Sequence, residues 1–100
     1  MNKGITVEEY LTYFAPNHDL ILNVTEGELP DYLAPHKIKT ISPTEIPNVL
    51  DQLSPDENYV LVASSDVQGQ TLANYLKNVG LNITYLIGGL PSLSNHLEFV

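Results

Sequence analysis

The residues able to do chemistry in this chain gather in one stretch. Ser64, Ser65 and Asp66 follow directly on the apolar run Tyr59-Val60-Leu61-Val62-Ala63 and precede a segment with a helical stripe. A serine hydroxyl in that position could act as a nucleophile, given a base within hydrogen-bond reach and amide donors for an oxyanion. The available bases are His18, His36, His96 and the Asp66 carboxylate, none at a recognised spacing, and no Gly-x-Ser-x-Gly turn is present. The three histidines and twelve carboxylates include no His-x-x-x-His or His-Glu-x-x-His pair, so neither a metal nor another cofactor is expected. Cysteine is absent altogether, which removes disulfides, thiolate metal sites, redox pairs and a cysteine nucleophile together.

The elements that must hold this stretch are legible in the pattern around it. Thr6-Val7-Glu8-Glu9 has the form of a capping box and opens a helix over residues 7–14. Residues 20–24 form a short apolar strand, and residues 25–37, broken by Gly27, Pro30 and Pro35, read as a loop with a short helical segment. Residues 37–41 alternate polar and apolar, a strand with one wet face at a sheet edge. Ser42-Pro43-Thr44-Glu45 looks like a second helix start, with Ser42 as its cap and Ile46, Val49, Leu50 and Leu53 on one stripe. A central strand over 59–63 leads through a polar loop to a helix over 69–79, which carries Leu72, Ala73, Leu76 and Val79 on one face and ends at Gly80. A last strand over 83–87, a turn at Gly88-Gly89 and a helix over 92–99 complete the chain.

Strands and helices thus alternate, which predicts an α/β fold with a mainly parallel sheet covered on both faces. At 100 residues this is one domain. Ligands of such sheets sit beyond the carboxyl ends of the strands, so the loop from 64 to 69 is where a site belongs. A strand, polar loop and helix N-terminus in succession present backbone N–H groups suited to an anion.

Composition narrows the partners. Twelve acidic residues against four lysines and no arginine give a formal charge of −8, which excludes nucleic acid and disfavours anionic membrane surfaces. An unknown protein partner, preferably basic, or a small ligand is left. The first residues carry no apolar stretch of signal-peptide length, and no run approaches the ~20 residues of a membrane span, so the protein is read as cytoplasmic. The tyrosines at 10, 13, 32 and 75 are expected to be half-buried packing residues.

With these elements in place, the chain resembles the single-domain rhodanese-like family over nearly its whole length. Ile5-Thr6-Val7-Glu8-Glu9, the strand from Leu20 to Val24 with Glu26 beyond it, Pro35-His36-Lys37-Ile38 and above all Tyr85-Leu86-Ile87-Gly88-Gly89-Leu90 carry the likeness. The resemblance implies a small, mainly parallel five-stranded sheet. It also places the family's catalytic loop on Ala63, Ser64, Ser65, Asp66, Val67, Gln68 and Gly69, with Asn23, Thr25, Glu26 and His36 at the pocket rim.

Family chemistry is transfer of a sulfane sulfur through a persulfide on a loop cysteine, whose thiolate is stabilised by loop amides. Ala63 stands where that cysteine belongs. Asn23, Thr25, Gln68 and Leu93 replace the family's frequent Asp, Arg, loop Arg and Trp, and Asp66 brings a carboxylate to a nest built for anions. A cysteine placed at 63 is expected to meet a ring of amides and a depressed pKa. The resemblance therefore implies a catalytically inactive rhodanese-like domain acting as a binding or protein-interaction module. An enzyme of altered chemistry using Ser64 or Ser65 is the alternative, and scaffolding of a partner through the acidic surface is a third.

Overall fold

The computed structural model describes residues 4–13, 20–25, 27–29 and 37–97, apart from the side chains of residues 13, 96 and 97. Five strands form one all-parallel sheet: β1 (Gly4–Ile5), β2 (Leu20–Asn23), β3 (Lys37–Thr40), β4 (Asn58–Val62) and β5 (Asn82–Leu86), in the order β1-β5-β4-β2-β3. β4 lies at the centre, with Leu22 opposite Leu61 on one side and Leu61 opposite Tyr85 on the other. β3 is an edge strand with mostly exposed residues, as its alternation predicts. β1 is two residues long, too short for a period-two pattern, and the sequence reading did not locate it.

Both faces of the sheet are covered, which is why β4 is apolar at successive positions rather than alternating. Tyr59, Leu61 and Ala63 point into one cluster with Ala73 and Leu76 of helix α2 (Asp66–Asn78). Val60 and Val62 point into the other, with Tyr10 of helix α1 (Val7–Tyr13) and Leu93 of helix α3 (Gly89–Leu97). Burying each such Leu or Val contributes roughly 1.5–3 kcal/mol. Among the described residues no helix is long and apolar enough to cross a membrane.

The helix boundaries follow from capping groups. Thr6 and Glu9 form the expected reciprocal box, with the Thr6 amide 2.9 Å from Glu9 Oε1 and the Glu9 amide 3.1 Å from Thr6 Oγ1. At the end of α2, Gly80 takes φ +97°, while the Gly80 and Leu81 amides donate to the carbonyls of Lys77 and Leu76 at 3.0 and 3.2 Å. That pair of bonds is a Schellman cap.

Three expectations need correction. The segment after Ser42 is two short 3₁₀ turns, Pro43–Asn48 and Leu50–Gln52, and not an α-helix. Pro47 has no N–H and its ring crowds the carbonyl four residues back, so an α-helix cannot pass through it. Ser42 makes no capping bond, although Ile46 and Leu53 are buried as their spacing predicts. α2 starts at Asp66 and not at Gly69, because Ser65 accepts from the Gln68 amide at 3.2 Å and the polar first turn is already helical. α3 starts at Gly89, three residues ahead of its expected start, so only Gly88 remains of the expected turn.

The strand order fixes where a ligand could sit. The connection after β2 leads outward to β3, whereas that after β4 returns to β5 on the other side. The crevice beyond the carboxyl ends of β2 and β4 is therefore the topological switch point.

Candidate functional site

Three segments meet at this crevice: residues 63–69 after β4, residues 23–25 and 27 at the end of β2, and residues 87–90 after β5. Ala63 is only 1% exposed and belongs to the apolar cluster under α2. Its methyl group ends the β4 alternation and turns inward, toward Ala73 and Leu76.

The loop that follows is closed by its own groups. The Ser64 amide donates to Gln68 Oε1 at 2.9 Å, and the Gln68 amide donates to Ser65 Oγ at 3.2 Å. The Gly69 amide donates to the Ser65 carbonyl at 3.0 Å. The Ser64 and Gln68 amides are donors that a loop and helix N-terminus would offer to an anion, and both already have a partner, while the Gly69 amide makes the first bond within α2.

Residues 88–90 strap the loop from outside. The Leu90 amide donates to the Ala63 carbonyl at 2.8 Å. The Gly88 amide donates to Asp66 Oδ1 at 2.8 Å, while Gln70 Nε2 donates to Asp66 Oδ2 at 2.7 Å. Gly89, at φ +61°, lies so close that a Cβ there would come within 2.5 Å of the Ala63 carbonyl oxygen. Asp66 thus clasps the strap with one carboxylate oxygen and is steadied by Gln70 at the other, a task its sequence position did not reveal.

At the rim, Asn23 and Thr25 are buried and bonded to one another. The Thr25 amide and hydroxyl lie 3.0 and 2.7 Å from Asn23 Oδ1, and the Gly27 amide donates to Thr25 Oγ1 at 3.1 Å. The Asn23 amide group reaches the Gly27 carbonyl and Thr40 Oγ1, each at 3.5 Å. Among the described residues no buried side-chain nitrogen or oxygen lacks a hydrogen-bond partner. Glu26, His36 and His18 lie outside the described residues, as does the side chain of His96.

The structure therefore brings the loop and the Asn23–Thr25 pair to the same end of the sheet. It adds Gly88 and Gly89, which sequence reasoning treated as a turn, together with Leu90. Their signal was available, since a Gly-Gly pair directly after a strand allows close backbone approach. Leu93 is 1% exposed in the cluster beneath α1 and α3. Ser64 and Ser65 are exposed, and Ser65 Oγ is the cap of α2. Val67, 74% exposed, stands at the top of the loop.

The chain contains no cysteine, so no residue of it can carry a persulfide. No protein-family model matches the chain, and no curated protein matches it in sequence. Solved structures do share its fold. A rhodanese-like domain protein from Staphylococcus aureus superposes with a TM-score of 0.70 at 23% identity, covering 91% of this chain and 90% of its own. A rhodanese-related protein from Thermoplasma volcanium gives 0.73 at 19% identity over 94% and 92%. A rhodanese homolog from the extreme thermophile Thermus thermophilus gives 0.67 at 24% identity over 91% and 99%. The architecture described above, an all-parallel five-stranded sheet between helices, is the fold of rhodanese-like domain proteins.

Proposed function

We propose that this chain is a rhodanese-like domain without sulfur-transfer activity, working in the cytoplasm as a binding or protein-interaction module. The observation that carries the reading is the bond between the Ser64 amide and Gln68 Oε1 beside a buried Ala63. A sulfurtransferase of this fold needs a thiolate and free amides around it. Here the sulfur position is a methyl group, and the first amide of the loop is held by a side chain of the same loop. The negative charge of Asp66, tied to Gly88, adds repulsion for any incoming thiosulfate.

The loop can still present a surface. With the Ser64 and Gln68 amides engaged, Ser64, Ser65 and Val67 remain outward for contact, while Asp66, Gln68 and Gly69 hold the shape beneath them. A neutral or cationic ligand, or a protein surface of that character, suits this arrangement better than an anion.

Purified protein is assayed with thiosulfate as sulfur donor and a small thiol as acceptor. Its thermal midpoint is followed in thiosulfate, sulfite, phosphate and small thiols, since any ligand of the native state raises the midpoint by mass action. No turnover above the uncatalysed rate and no anion-induced shift are expected. Turnover, or a shift with thiosulfate, overturns the reading.

A further inference from the structure

The outer edge of β3 combines a backbone with which no described residue pairs and the wrong charge for this protein. Ile41 donates to the Asn23 carbonyl at 2.9 Å. By the alternation of a parallel ladder, the odd-numbered residues of β3 therefore turn their backbone groups toward β2, and Ile38 and Thr40 turn theirs outward. β3 is the last strand on its side, and no described residue pairs with that edge. Ile38 is 40% exposed. Lys37 and Lys39, two apart and so on one face, are half of the four lysines of a chain whose net charge is −8. Beyond Lys39 the edge runs into a groove of about 310 Å³ lined by residues that include Lys39, Ile41, Val49 and Gln52, with the Glu45 carboxylate also in its lining.

We infer that β3 is a docking edge for an extended acidic segment of a partner protein, which adds to the sheet as a sixth strand. Its backbone would meet the outward groups of Ile38 and Thr40. Carboxylates at alternate positions would face Lys37 and Lys39, and an apolar side chain between them would cover Ile38. The charges also say what does not dock. A second copy pairing through its own β3 would set lysine against lysine, and like charges directly opposed across strands destabilise the pairing. The inference rests on the binding role proposed above, but not on the loop.

The probe is a fluorescent peptide of alternating glutamate and valine, about six residues long, titrated with the full chain at low salt. A lysine-for-glutamate peptide serves as control. Saturable binding of the acidic peptide alone is expected, several-fold weaker at high salt, with amide shifts centred on Ile38 and Thr40. Lys37→Glu combined with Lys39→Glu changes only side chains outside the core and weakens binding roughly tenfold or more. Ile38→Pro removes an outward N–H, a change edge strands tolerate, and abolishes binding. Equal binding of both peptides, no saturable binding, or binding unchanged in these variants overturns the inference. Shifts confined to residues 64–68 overturn it too, while supporting the loop surface, and turnover with thiosulfate is the separate failure of the non-catalytic reading.

Discussion

Gln68 Oε1 lies 2.9 Å from the Ser64 amide, so a side chain in the first turn of α2 reaches back to occupy the head of its own loop. The bond does for this chain what a bound anion does at an open helix N-terminus. Gln68→Ala removes the acceptor. The expected cost is about 0.5–1.5 kcal/mol, with faster hydrogen exchange at the Ser64 amide. Unchanged exchange at that amide would mean that the bond does not form in solution.

Ala63→Cys tests the same feature by chemistry. Because Ala63 faces the apolar cluster and the Ser64 amide is taken, the depressed thiol pKa expected from the loop pattern alone is not expected here. The thiol titrates at or above the free value of about 8.5, since burial disfavours the charged form. Adding Gln68→Ala frees the amide and lowers the value. Alkylation rate against pH reads both, and a thiol of the single variant titrating well below the free value would contradict the closed loop.

Gly89 and Gly80 separate crowding from backbone strain. Both have positive φ, but a Cβ at Gly80 meets nothing within 4 Å, whereas one at Gly89 runs into the Ala63 carbonyl. Gly80→Ala is expected to cost about 1 kcal/mol. Gly89→Ala adds the displacement of the strap to a similar strain and costs several-fold more, as denaturant midpoints will show. Equal losses at the two sites would argue against close approach at Gly89.

Asp66 can be tested with a conservative pair. Asp66→Asn keeps an oxygen for the Gly88 amide, and Asp66→Ala leaves that amide without an acceptor. The alanine variant is expected to lose about 1–3 kcal/mol and the asparagine variant markedly less. If thermal melts rank the two the other way, the carboxylate is not the clasp of the strap.

Thr25→Val preserves shape while removing the donor to Asn23 and the acceptor for Gly27. Leaving buried polar groups unpaired costs about 1–3 kcal/mol, which in a domain of this size lowers the melting midpoint by roughly 4–8 °C per kcal/mol. A midpoint unchanged by the substitution would show that the Asn23–Thr25 pair contributes nothing to stability.

Much of the fold is legible in local signals. The Thr6–Glu9 box, the apolar strands, the stripe of α2 through Ala73 and Leu76, and the cap at Gly80 each follow from one short stretch of chain, although Val79, expected on that stripe, lies past the helix end and is 48% exposed. What escaped depends on atoms far apart in sequence. β1 becomes a strand only by pairing with β5, through Gly4 opposite Tyr85 and Ile5 opposite Leu86. The stripe after Ser42 marks the buried side chains correctly, but Pro47 decides the backbone. In the site, the loop from 63 to 69 is placed beyond the strand ends by the alternation of elements, yet the Asp66–Gly88 clasp spans 22 positions and no pattern announces it.

The close approach of Gly89 to Ala63 bears on how such a domain could change over time. A cysteine at position 63 would arrive in a crowded place, since the Gly89 backbone lies against the Ala63 carbonyl. Opening the loop to an anion also requires release of Gln68 from the Ser64 amide and of Asp66 from the Gly88 amide. Both releases break bonds that now stabilise the loop, so each taken alone lowers stability. Drift at this site therefore runs more easily through the exposed positions Ser64 and Val67 than through the bonded groups beneath them.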